Sequence, residues 1–134
     1  MLNDLVIKQK FDDMVQYAYI ALEHFPKSQR YVMGAEIRLC MENIDSLIIR
    51  AQKQYFKKTT LQDLDIAVAQ LQSKINRAKG LGYLPNKKHE LWSRMLIELG
   101  RMVGGWIKSA QNRAPADMPI AAATATTARS ARVR

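Results

Sequence analysis

The chain has a single cysteine, Cys40, in 134 residues. That excludes an intramolecular disulfide and a multi-thiolate metal site within one subunit, and it fits a reducing compartment. Histidine is almost as scarce. His24 and His89 each fall at a helix boundary with no second ligand one turn away, so no zinc-type spacing is present. Long apolar runs are missing too: even Leu47-Ile48-Ile49 lies between Asp45 and Arg50, too short a stretch to cross a bilayer. Asp4, Lys8, Lys10, Asp12 and Asp13 interrupt the opening turns, which excludes a secretory leader there and predicts a cytoplasmic protein.

Catalytic constellations are equally thin. Cys40 sits on an apolar stripe with no local basic residue to hold a thiolate, which marks a core cysteine rather than a nucleophile. Asp12-Asp13 and the pair Asp63 and Asp65 lie on helix ends or polar faces, where acids cap and solubilise. Gly80-Leu81-Gly82 follows a helical pattern, whereas a phosphate-cradling glycine loop follows a strand. These absences predict a protein with no enzymatic activity, no metal and no cofactor.

What is present is helical periodicity. With 48% hydrophobic and 25% charged residues, the chain can bury one core of ordinary composition. Four segments place apolar residues at steps of three and four, which puts them on one side of an α-helix. The first runs Ile7, Phe11, Met14, Ala18, Ala21, Phe25; the second runs Met33, Ile37, Cys40, Ile44, Leu47, Ala51, with Met41, Ile48 and Tyr55 beside it. The third is Leu61, Leu64, Val68, Leu71, Ile75, Ala78, and the fourth is Trp92, Leu96, Leu99, Val103, Trp106, Ala110, flanked by Met95 and Met102. Sustained strand-like alternation is absent. The widened second and fourth stripes either line the same core or form an oligomer interface.

Short connections separate the segments. Pro26 ends the first and Ser28 is a candidate cap for the second; Thr60 with Asp63 resembles a capping box for the third. Gly80 and Gly82 supply positive-φ positions after the third, and Pro85-Asn86 starts the fourth. Links this short force antiparallel neighbours. The expected fold is all-α, an up-down-up-down antiparallel four-helix bundle over residues 1–112. Residues 113–134, with two prolines, an Ala/Thr run and terminal Arg129, Arg132 and Arg134, read as a disordered basic tail, either a phosphate-binding arm or a solubilising extension.

Charge supplies the functional signal. The formal net charge is +9, and 17 basic against 11 acidic residues in 1–112 leave +6 on the helical body, a field that attracts polyanions. Arg94, Arg101 and Lys108 recur every seven residues; Lys74 with Arg77, and Arg50 with Lys53 and Lys57, share helix sides; Lys58, Lys79, Lys87 and Lys88 crowd the connections. These twelve are the candidate nucleic-acid contacts. The alternative for each is a solvated face laced with weak ion pairs, as Glu98 beside Arg94 and Arg101 suggests. Lacking a base-reading motif, the pattern implies backbone contacts to RNA or DNA, steep salt dependence and weak sequence preference.

Two stretches carry a resemblance. Phe25-Pro26-Lys27-Ser28-Gln29-Arg30-Tyr31, after a segment with Tyr17 and Tyr19 and before Gly34, is similar to the first turn of small four-helix-bundle proteins. Leu99-Gly100-Arg101-Met102-Val103-Gly104-Gly105-Trp106-Ile107-Lys108 resembles the last helix of the accessory variability determinant (Avd) family of diversity-generating retroelements, and the likeness spans about residues 4–110. Gly100, Gly104 and Trp106 are its most specific part, since small residues a turn apart admit a neighbouring helix and the tryptophan fills the space alongside. The resemblance implies a basic, non-catalytic homopentamer that binds the element's reverse transcriptase and nucleic acid in mutagenic retrohoming. A sister group encoded within ribosomal RNA intervening sequences has an asparagine-rich, small-residue ending to helix two, where this chain has Leu47-Ile48-Ile49-Arg50. A helical adaptor whose charge serves only solubility is the other function class the sequence permits.

Overall fold

The computed structural model describes residues 2–111, which form five helices and, among the described residues, no strand. α1 (Leu2–Glu23), α3 (Met33–Lys53), α4 (Lys58–Gly80) and α5 (Asn86–Gln111) are long, and α2 (Lys27–Arg30) is a single turn. The apolar stripes read from the sequence are the buried ones: every primary position except Met33 and Ala110, near helix ends, lies in the core. Leu22, Ala67 and Leu84 join them. The second rows also turn inward, with Met41 and Ile48 buried and Met95 and Met102 packed on the core, so that apolar surplus is absorbed within the subunit.

Cross-links fix the direction of each helix. Lys8 on α1 reaches Asp45 on α3 at 2.7 Å, while Gln52 near the end of α3 donates to the Asp4 carbonyl at 3.1 Å, so the two run antiparallel. The Cys40 thiol lies 3.8 Å from the Ala67 carbonyl across α3 and α4, Gln72 donates to Ser93 at 3.1 Å across α4 and α5, and Lys10 pairs with Glu98 at 3.2 Å across α1 and α5. The four long helices therefore close a ring in the order α1, α3, α4, α5. This is the expected up-down-up-down bundle. Its upper end gathers the start of α1, the end of α3, the start of α4 and the end of α5. The lower end holds α2 and the α4–α5 turn.

The connections correct three expectations. Pro26 (φ −52°) starts a helical turn at once, its carbonyl accepting the N–H groups of Gln29 and Arg30 at 2.8 and 3.1 Å, so Ser28 falls inside α2 and caps nothing. α3 begins instead after Val32, with no side-chain cap. The Thr60–Asp63 box also fails: α4 already starts at Lys58, and Thr60, inside its first turn, donates to the Gln54 side-chain oxygen at 2.6 Å. Finally, Gly80 closes α4 with ordinary helical geometry, and only Gly82 takes the left-handed conformation, at φ +81°. There the Tyr83 N–H reaches back to the Ala78 carbonyl at 2.9 Å, the usual way of satisfying a helix C-terminus. Phe25 and Tyr83, with ring centroids 6.1 Å apart, close the lower end of the core.

Cys40 is 8% exposed, and burial raises its thiol pKa above the ordinary value, against an opposing pull from Lys74. A basic residue therefore does face it, from α4, although none is local in sequence. Burial outweighs that charge and the thiol stays protonated. No helix among the described residues is long and apolar enough to cross a membrane.

Candidate nucleic-acid interface

Antiparallel packing sorts the twelve candidate cations by helix end. At the upper end, Arg50 and Lys53 on the last turns of α3 meet Lys57 and Lys58 at the start of α4 and Lys108 near the end of α5. At the lower end, Lys74, Arg77 and Lys79 of α4 lie near Lys87 and Lys88 at the start of α5. Arg94 and Arg101 bridge the two along the outer face of α5. At 1.5 Å per residue the ends of helices this long are about 30 Å apart, so the cations form two clusters and a connecting row.

Three of the twelve are engaged within the fold. Lys74 pairs with Glu36 at 3.8 Å, and Arg94 pairs with Glu90 at 2.6 Å. The expected partner of Arg94, Glu98, instead reaches across to Lys10, because the α1–α5 contact brings that lysine closer. The Lys57 ammonium donates to the carbonyls of Ala51 (2.5 Å) and Gln54, closing the C-terminus of α3, where a cation is favourable. The other nine make no ion pair among the described residues.

The charges are also divided between the two halves of the ring. α4 and α5, which are neighbours, carry nine basic and four acidic residues, whereas α1 and α3 carry five basic and seven acidic. Within α1 and α3, Lys8 bridges Asp12 at 2.8 Å and Asp45 at 2.7 Å, whereas Glu36 pairs with Lys74 of α4 and Lys10 with Glu98 of α5. Burial lowers the Lys8 pKa, but these two hydrogen-bonded carboxylates outweigh it and leave the pKa raised. The α4–α5 side is thus electropositive and the α1–α3 side slightly acidic overall, apart from Arg50 and Lys53 at the upper end of α3.

Stability does not explain where some of the lysines sit. α5 opens Asn86-Lys87-Lys88 and α4 opens with Lys58 after Lys57, and neither first turn holds an acid. A helix N-terminus carries partial positive charge, so cations there are unfavourable by a few tenths to about 1 kcal/mol each. Free backbone N–H groups beside lysines suit an external anion.

Beside the lower cluster, Gln72, Asn76, His89 and Ser93 form a polar strip joining α4 to α5, with His89 Nε2 2.7 Å from the Asn76 side-chain oxygen. Burial first, and the nearby Lys79 second, lower the His89 pKa, so its ring is neutral at neutral pH. No three His, Cys, Asp or Glu side chains converge on a common point among the described residues. The sequence pattern missed one feature of the upper end. Tyr55 and Phe56 form an edge-on aromatic pair, centroids 4.9 Å apart, in a 310 Å³ cleft that also has Lys57 and Lys58 in its wall. The signal was present as adjacent aromatic and basic pairs just beyond a helix end.

A family model described as bAvd-like matches residues 5–110, from the first turn of α1 to the last of α5. The chain belongs to the bacterial Avd family of diversity-generating retroelements. Among curated proteins no match to it was found. Avd membership gives the chain an accessory role in such an element, in a family of generally non-catalytic proteins. Within this Avd bundle, Gly100 approaches α4, where an added Cβ would stand 4.0 Å from Val68, while Gly104 and Gly105 face open space. Trp106 is buried beside them at 5% exposure. The close approach expected at Gly104 therefore has no counterpart inside the subunit.

Proposed function

We propose that this chain is the nucleic-acid-binding, non-catalytic accessory of a retroelement reverse transcriptase, acting in mutagenic retrohoming as a homo-oligomer, pentameric by family likeness. The observation that carries the reading is the partition of charge: an α4–α5 side rich in unpaired cations beside an α1–α3 side that is slightly acidic overall. A surface of this kind attracts RNA or DNA through its phosphates, with association driven by counterion release. Arg50, Lys53, Lys58, Arg77, Lys79, Lys87, Lys88, Arg101 and Lys108 are the contacts we assign; Lys57, Lys74 and Arg94 contribute to the same field from positions also engaged in the fold. Residues 1–112 act as the folding unit in this reading, and the 113–134 extension, which lies outside the described residues, contributes Arg113, Arg129, Arg132 and Arg134 to the basic charge of the chain.

Copurification with the neighbouring reverse transcriptase, together with RNA and DNA binding titrated against salt, tests this proposal. A chain that binds neither the polymerase nor nucleic acid at low salt refutes it. One observation favours a second reading, an adaptor that works through protein contacts alone. Gly104 and Gly105 are exposed mid-helix residues, unfavourable by about 1 kcal/mol each relative to alanine, and they leave room for a partner helix to approach. Under that reading Gly104→Ala and Gly105→Ala impair assembly or polymerase binding, and glutamine replacement of the cations changes nothing.

A further inference from the structure

We propose that the cleft at the α3–α4 connection is a stacking site for one unpaired nucleobase, so that the upper end selects single-stranded over fully paired nucleic acid. The proposal rests on the nucleic-acid reading above and deepens it, since contacts to phosphate alone do not distinguish strand state in this way.

The cleft is a built feature. Its floor is Leu61, fully buried, and its walls are Ile107 and Ala110 of α5 and the Tyr55-Phe56 pair; Gln111 closes one side. Phe56 remains 42% exposed although it sits in an apolar hollow, because no other part of the described chain covers it. At 310 Å³ the hollow is at the lower limit of ligand-sized pockets, which run from about 300 to 1,000 Å³. That suits a flat ring better than a helix.

Charge decides between occupants. The lining contains Lys57 and Lys58 and no carboxylate, and Lys53 and Lys108 lie on the adjoining last turns of α3 and α5. An uncharged apolar side chain gains nothing from those cations. A nucleotide matches both halves of the site, with its base against Phe56 and its flanking phosphates towards Lys58, Lys53 and Lys108. Aromatic platforms set in a basic groove bind single strands in this manner, tolerant of sequence because every base has a π-face. In a duplex the bases are stacked on one another and the platform finds no partner.

The test uses the full chain and four labelled probes of equal length: oligo(U), oligo(dT), an abasic strand with the same phosphates, and a blunt RNA duplex. The expected result is that both oligonucleotides bind about tenfold more tightly than the abasic strand, within the range that loss of one stacked base produces. Phe56→Ala and the better-filling Phe56→Leu bring them down to the abasic level, leaving the abasic affinity and the thermal midpoint unchanged. Lys58→Gln weakens all single strands alike and lowers the salt slope by about 0.7. If the wild-type chain binds base-bearing and abasic strands equally, or if the preference survives Phe56→Ala, the cleft takes no base and the proposal is overturned while the basic-surface reading stands. If no probe binds at low salt, the basic-surface reading itself has failed, and the cleft proposal with it. An acidic peptide that displaces the abasic strand no better from wild type than from Phe56→Ala removes the competing occupant.

Discussion

Replacing Lys87 and Lys88 together with glutamine should make the protein more stable and a poorer ligand for nucleic acid. Both lysines lie in the first turn of α5, which holds no acid, so each works against the positive end of the helix dipole. Neither forms an ion pair among the described residues. Removing two unfavourable charges of a few tenths to about 1 kcal/mol each gains about 1 kcal/mol in low salt. For a bundle of this size that raises the thermal midpoint by roughly 4 °C. Binding moves the other way: each lost phosphate contact reduces the slope of log K against log[salt] by about 0.7 for single strands and 0.9 for duplex DNA. The double variant should therefore lose about 1.4 from its single-strand slope. Calorimetric melting in low-salt buffer and fluorescence anisotropy from 50 to 200 mM salt read the two effects on one preparation. A melting point that falls, or an unchanged slope, refutes the assignment of these lysines to an external anion.

Three other outcomes follow from the core and the helix joints. The lowered His89 pKa means that the unfolded chain binds more protons than the native one between that value and the ordinary 6.5, so stability drops as pH falls through this window and His89→Gln flattens the dependence, as pH-resolved melting will read. Cys40, buried with a raised pKa, should resist thiol reagents in the native state and react at the rate of global opening, with Lys74→Gln leaving that rate nearly unchanged. Trp92 is fully buried, with its indole N–H unpartnered among the described residues, so Trp92→Phe should lose less than about 1.5 kcal/mol in denaturant melts, whereas Trp92→Ala should lose about 3–5.

The bundle was legible in the chain because a 3.6-residue period and a buried face are the same fact seen twice. Ile37, Ile44 and Ala51 could hardly recur at such intervals on any other element. Helix starts were less legible, because the capping preferences of Ser28 and Thr60 competed with stronger local geometry. Pro26 nucleates a turn immediately behind it, and Lys57 ties its own ammonium to the end of α3, which moves the start of α4 ahead of Thr60. The cations were identifiable one helix at a time, but not their grouping. Arg50 and Lys108 share an end only because α3 and α5 run in the same direction, and Lys74 meets Glu36 across 38 positions of sequence. The Phe56 cleft needed three segments, the α3–α4 connection, the start of α4 and the end of α5, and no spacing rule joins them.

An even number of long helices returns the chain to the side from which it set out. Leu2 and Gln111 therefore emerge at one pole, and the α4–α5 hairpin bend forms the opposite one. A bundle anchored to a bead or sensor through a residue introduced beside Leu2 or Gln111 would present Arg77, Lys79, Lys87 and Lys88 outward and crowd Phe56 and Lys58 against the support. Anchoring through a residue introduced at the bend would reverse this presentation, which makes attachment geometry a direct way to separate the two poles' contributions to nucleic-acid capture.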